Sequence, residues 1–101
     1  MTDVAGDLSL ADPGAYALEI NGDSMAPIYR DGDLVIVSPS APIRRGDRVV
    51  VRTNKGELIA RQLSRRTAQR VELSSLNPAH PDCSFELAEL AWMHRIIWAS
   101  Q

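Results

Sequence analysis

The sequence is short of several things at once. It has one cysteine, one lysine, two histidines and 5% aromatic residues in 101 positions. A lone Cys83 cannot close an intramolecular disulfide, and no stretch approaches the ~20 apolar residues that cross a bilayer. No basic, apolar leader stands at Met1 either, so a soluble, cytoplasmic, reducing setting with no membrane partner is expected. Eleven Lys and Arg against thirteen Asp and Glu leave a formal charge of −2. That balance gives no electrostatic footprint for nucleic acid, so DNA binding would have to come from a domain outside this chain. His80 and Cys83 are spaced closely enough to share a metal, but two ligands do not make a zinc site, and neither metal nor cofactor is expected. A chain of this length is one domain, able to bury ~60–65% of its unfolded surface without disulfide or metal support.

What is present is a series of short apolar runs punctuated by Gly, Asn, Asp and Pro. Residues 1–14 show no sustained period and read as a lead-in, with residues 15–101 as the folded domain. Ala15 to Ile20, Leu34 to Val37, Val49 to Val51, Glu57 to Arg66, Val71 to Leu76, Phe85 to Leu87 and Ala91 to Ser100 read as strands. Asn54-Lys55-Gly56 is a tight hairpin signal between two of them. Met25 to Tyr29 has room for one helical turn at most, given Pro27. The result is an all-β domain.

Along the fourth run, strict alternation places Arg61 on the face that carries Ile59 and Leu63, a charge among apolar neighbours. The basic run Arg65 to Arg70 reads as a solvated hairpin end rather than a nucleic-acid surface, because no aromatics interleave it. In the last run, alternation puts Trp92, His94, Ile96 and Trp98 on one face. Trp92, Ile96 and Trp98 are therefore candidates for a face covered by a partner subunit, although burial inside one subunit would satisfy the same pattern. His94 reads as a packing residue.

The segment around which these runs are arranged is Asn21-Gly22-Asp23-Ser24-Met25-Ala26-Pro27, followed by Arg30-Asp31-Gly32-Asp33. It holds Ser24 at a sharp turn between two strands. Such a turn displays a nucleophile, and the same residues also make an ordinary polar turn.

Gly22-Asp23-Ser24-Met25-x-Pro27, then Asp31-Gly32-Asp33-Leu34-Val35, Arg45-Gly46-Asp47-x-Val49-Val50-Val51 and Gly56-Glu57 together resemble the catalytic domain of LexA and phage repressors, the S24 family of self-cleaving serine peptidases. Leu76-Asn77-Pro78 and Ile96-Ile97-Trp98 also look like repressor-type members. The resemblance spans about residues 15 to 100. It implies compact, strongly bent β-sheets of the signal-peptidase-like β-clip type with short helical turns at most. Bacterial signal peptidases share the Ser-Met-x-Pro motif but carry membrane anchors, for which this chain has no apolar run.

By resemblance, Ser24 is the nucleophile and the Met25 backbone N–H an oxyanion donor. Val4-Ala5-Gly6 is similar to the Ala-Gly bond that these proteins cut in themselves, which makes Ala5 and Gly6 the candidate cleavage site. The general base of the family is a lysine, and its seat falls on Arg61. A serine needs a neighbour to take its proton, and a desolvated lysine can do so. A guanidinium stays protonated and cannot. The one lysine, Lys55, lies six residues earlier, about 20 Å away at strand rise. The expectation is a C-terminal homodimerisation and self-cleavage-type domain of a prophage or LexA-like transcriptional repressor, impaired in autoproteolysis. Its DNA contacts would come from an absent N-terminal domain, and its induction in an SOS response from the RecA filament. Two alternatives stand beside it: an active peptidase in which His80 or His94 is the base, and a free-standing accessory domain of a DNA-damage polymerase.

Overall fold

The computed structural model describes residues 14–23 and 25–100. Seven strands occupy most of that span: β1 Tyr16–Glu19, β2 Leu34–Ser38, β3 Arg48–Thr53, β4 Leu58–Arg66, β5 Arg70–Ser74, β6 Cys83–Glu86 and β7 Leu90–Ala99. A 3-10 turn, Leu87–Glu89, joins β6 to β7. The strands form one sheet in the order β1-β2-β7-β3-β4-β5-β6, and every neighbouring pair is antiparallel. The architecture is all-β, as the short apolar runs indicate. No helix among the described residues is long and apolar enough to cross a membrane.

Alternation along β3 shows how the sheet divides its two faces. Val49 and Val51 point into a core with Leu63, Val71 and Leu73, whereas Val50 points into another with Ile20, Met25, Tyr29, Val35, Val37 and Ile96. All of these side chains are under 10% exposed, and a sheet buried on both faces needs apolar residues at consecutive positions, which the valine triplet supplies. The first core belongs to the meander β3-β4-β5-β6. The second is closed by β1 and the loop 20–29 and carries the candidate site.

Two turns of identical design start β2 and β3. In Arg30-Asp31-Gly32-Asp33 the Asp33 N–H donates to the Arg30 carbonyl at 2.9 Å, and the Asp33 carboxylate accepts the Arg30 N–H at 2.8 Å. In Arg44-Arg45-Gly46-Asp47 the equivalent distances are 3.0 and 2.7 Å. Gly32 and Gly46 take φ of 92° and 94°, the left-handed region that the third position of such a turn requires.

The sheet is strongly curled. β1 and β4 are four strand spacings apart, about 19 Å if the sheet were flat, yet Leu18 to Ile20 and Leu58 to Arg61 line one cleft. Register shifts in the β2–β7, β3–β7 and β4–β5 pairings accompany the curl.

One of these shifts corrects the reading of β7. Ile96 lies opposite Val37, and Trp98 lies opposite Ile36. Opposed residues share a face, and Ile36 and Val37 do not. The extra residue at position 97 therefore turns Trp98 to the face away from Ile96. Ile96, 7% exposed, and Trp92 belong to the site-side core, so Trp92, Ile96 and Trp98 do not form one continuous outer stripe. The sequence shows unbroken alternation there because a bulge has no residue signature of its own.

The strand boundaries otherwise fall close to the expected ones. Phe85 begins the second half of β6 rather than a strand of its own, and Leu87 enters the 3-10 turn. The basic run is a solvated hairpin end: Arg65 meets Glu72 at 3.7 Å and Arg70 meets Glu86 at 3.6 Å, all four side chains more than half exposed.

Candidate functional site

An open cleft of about 340 Å³ lies between the 18–25 segment and β4. Its lining is largely apolar, from Leu18 and Ile20 to Val50 and Ala60, and its polar residues are Glu19, Asn21, Asp23, Arg61 and His80. Met25 fixes the turn from below. Its side chain is 1% exposed in the site-side core, and its carbonyl accepts the Tyr29 N–H at 2.9 Å, while the Ala26 N–H donates to the Asp23 carbonyl at 3.0 Å. On the other flank the Gly22 N–H donates to the Asp31 carboxylate at 2.8 Å, and Ile20 exchanges backbone bonds with Gly32 and Asp33. Ser24, Ala5 and Gly6 lie outside the described residues.

Two side chains from the loop between β5 and β6 reach across to Asp23. The Asn77 amide donates to the Asp23 carbonyl at 2.8 Å, and the His80 Nε2 lies 2.6 Å from the Asp23 carboxylate. The loop that presents them is internally braced. The Asn77 side-chain oxygen accepts the Ala79 N–H, its carbonyl accepts the His80 N–H, and Ser75 Oγ both accepts from the Asn77 N–H and donates to its carbonyl. Pro78 and Pro81 flank His80 and restrict the backbone further.

Arg61 lines the cleft, but its guanidinium is engaged along the sheet. Nη1 donates to the Ala60 carbonyl at 2.8 Å, and the group faces the Cys83 thiol on β6. Burial pushes that thiol above its usual range, and the Arg61 charge and hydrogen bond offset part of the effect. Arg61 lies opposite Val49 and shares its face, so the guanidinium sits on the meander side of the sheet, with Cys83, rather than over the cleft floored by Val50 and Ala60.

His94, the other histidine, is elsewhere. It stacks on Trp92 with ring centroids 4.2 Å apart, and its Nδ1 lies 2.7 Å from the Tyr16 hydroxyl. Burial lowers its pKa. The ring is committed to packing, as its place in the last apolar run suggests. His80 and Cys83 gain no third metal-binding partner: no cluster of three or more His, Cys, Asp or Glu suited to a metal occurs among the described residues.

Sequence reasoning identified the turn, Arg61 and the two histidines, but missed Asp23 and Asn77 as a connected pair of anchors. Both are ordinary turn residues 54 positions apart, and nothing local marks them as partners.

A sequence model of the family described as Peptidase S24-like matches residues 2–97, nearly the whole chain. The chain belongs to the S24-like peptidase family. Among its curated relatives is repressor protein C of Rhizobium phage 16-3, which is 32% identical over 97 residues, 88% of this chain and 36% of the relative. The prophage repressor CohE of Escherichia coli (strain K12) is 38% identical over 68 residues, 66% of this chain and 30% of the relative. The chain thus spans about a third of the length of these repressors. In an S24-like chain the cleft beside Asp23 and Met25 is the place to look for chemistry.

Proposed function

We propose that this chain is the C-terminal regulatory and dimerisation domain of a prophage-type transcriptional repressor. The observation that carries this reading is its alignment, as an S24-like domain, with about a third of two longer proteins named as repressors. The acidic balance of the chain supports it, since DNA contacts then come from a separate N-terminal domain. Association of two such chains places two DNA-binding domains on a palindromic operator, which is the physical use of a two-fold dimer. Trp98, on the face of β7 away from the site-side core, is the aromatic best placed to join such an interface, and Trp92 at the margin of that core is the second.

Self-cleavage in this reading is slow compared with a serine–lysine enzyme, because Arg61 cannot accept a proton. Induction through the RecA filament would act by bringing the linker into the cleft. Sedimentation at high micromolar concentration tests the core of the proposal: a dimer that Trp98→Glu converts to a folded monomer supports it, and a wild-type monomer contradicts it.

The second reading is a functioning serine peptidase with a base other than lysine. The His80–Asp23 contact favours it, since it sets an imidazole beside the residue next to Ser24. A free-standing polymerase-accessory domain is favoured by no observation in the fold.

A further inference from the structure

We propose that Asn21 is a site of spontaneous deamidation through the main-chain nitrogen of Gly22, and that the Asp31 carboxylate slows the reaction while the chain is folded. Asparagine is a chemically labile side chain. Its reaction needs an amide free to turn back on the main chain, a following N–H that can lose its proton, and no side chain on the next residue to block the approach. Asn21 is exposed, and its side chain makes no hydrogen bond among the described residues. Gly22 carries no Cβ and takes φ of 89°, and a Cβ added there would meet nothing within 4 Å, so the space beside it is open.

The other two asparagines of the chain lack these conditions. Asn54 precedes Lys55, whose side chain hinders attack, and its amide donates to the Ala88 carbonyl at 2.6 Å. Asn77 precedes Pro78, which has no N–H to lose, and both ends of its amide are bonded, to the Asp23 carbonyl and to the Ala79 N–H. What restrains Asn21 is the contact made by its neighbour. The Gly22 N–H donates to the Asp31 carboxylate at 2.8 Å. A carboxylate is too weak a base to remove an amide proton outright, and its negative charge held against the nitrogen disfavours the anion that attacks. The bond also fixes the peptide plane of Gly22, which must rotate for its nitrogen to reach Asn21.

In the step itself the Gly22 nitrogen gives up its proton to solvent base and bonds to Cγ of Asn21. The bond from Cγ to the side-chain nitrogen breaks, and that nitrogen takes up a proton and leaves as ammonia, closing a succinimide ring. Water then adds to one of the two ring carbonyls. Opening at Cγ leaves aspartate, and opening at the main-chain carbon leaves isoaspartate. Either product puts a new carboxylate into the lining of the cleft, beside Glu19 and Asp23. Isoaspartate also lengthens the main chain by a carbon within the turn that Ile20 ties to Gly32 and Asp33 at 2.8 and 2.7 Å. The cleft therefore changes in charge and shape as the molecule ages.

Ageing of the intact chain at mildly alkaline pH, followed by tryptic digestion and mass spectrometry, tests this, because the three asparagines fall in separate peptides and Asn21 is the one within residues 1–30. In the folded wild type, replacement of an amide by a carboxyl should accumulate in that peptide ahead of the other two, as aspartate and isoaspartate forms that elute apart, and it should run faster in urea. Asp31→Ser, with an unchanged circular dichroism spectrum, should quicken the folded reaction ~10-fold, the worth of one hydrogen bond to a charged acceptor. Gly22→Ala should slow the reaction relative to wild type in urea, where folding plays no part. Conversion at Asn54 or Asn77 that matches Asn21, or no conversion at Asn21, would overturn the site. A folded wild type that converts as fast as in urea, or an Asp31→Ser variant that converts no faster than wild type, would overturn the restraint by Asp31.

Discussion

The two faces of the sheet are assembled by different means. On the meander face, Val49, Val51, Leu63, Val71 and Leu73 come from strands that follow one another through short hairpins. On the site face, the ties join distant positions: Tyr16 to His94, 78 residues apart, Asp23 to His80, 57 apart, and Asn77 to Asp23, 54 apart. Hairpins fix register locally, so the meander is specified close to home. The site face exists only once the ends of the chain have met. Its turn is held by side chains that could be changed without disturbing a strand, which is the freedom a functional cleft needs.

The strongest test of this contrast compares Leu73→Ala with Met25→Ala. Both side chains are at most 1% exposed, one in a meander strand and one in the site loop. Each should cost about 2–5 kcal/mol in urea unfolding if the loop is as much a part of the core as the strand. A Met25→Ala cost below ~1 kcal/mol would show instead that the loop relaxes over the gap, and that the site face is a separable cover.

The paired turns sharpen the comparison, because the same design serves both sides. The Gly32 N–H donates to Ile20 on the site face, and the Gly46 N–H donates to Leu63 on the meander. At neither glycine would an added Cβ meet another atom within 4 Å. The cost of Gly→Ala is then conformational alone, about 1–2 kcal/mol for a left-handed residue, and it should be equal at the two positions by thermal or urea melts. A cheaper Gly32→Ala would place the weaker packing at the site.

These same elements explain what could be read in advance. The Arg-x-Gly-Asp turns, the valine triplet and the Asn54-Lys55-Gly56 hairpin each carry their structure within a few residues, and each lies where its sequence indicates. In the hairpin Gly56 takes the positive φ, at 91°, and Asn54 does not share it. The bulge that turns Trp98 over was not legible, because alternation of side chains has no mark for an inserted residue. Nor was the pairing of Asp23 with His80 and Asn77, which depends on the curl of the whole sheet. Arg61 was legible as a misfit among apolar neighbours, but its engagement with Ala60 and Cys83 follows from strand pairing two strands away.

A smaller effect isolates the long-range ties. Asn77→Ala removes one donor to the Asp23 carbonyl and the bracing of its own loop, at about 0.5–1.5 kcal/mol per hydrogen bond lost. Amide exchange should quicken in residues 77–82 and around Gly22, while β3 to β5 keep their protection. Faster exchange in the meander strands would mean that the two faces do not open independently.

The gentlest handle is acid, and it should act on the site face. Burial lowers the pKa of His94 below its ordinary value of 6.5, so between the folded and unfolded values the unfolded chain carries the extra proton. Stability then rises with pH in that window and falls as pH drops below ~6.5, the reverse of a histidine that gains an acidic partner. The Tyr16 hydroxyl beside Nδ1 can donate to the neutral ring or accept from the charged one, so burial sets the sign. Urea midpoints of wild type should therefore decline from pH 7 toward pH 5.5, and His94→Gln, which cannot titrate, should flatten that slope at some loss of stacking. A slope that survives His94→Gln unchanged would assign the acid sensitivity to another group.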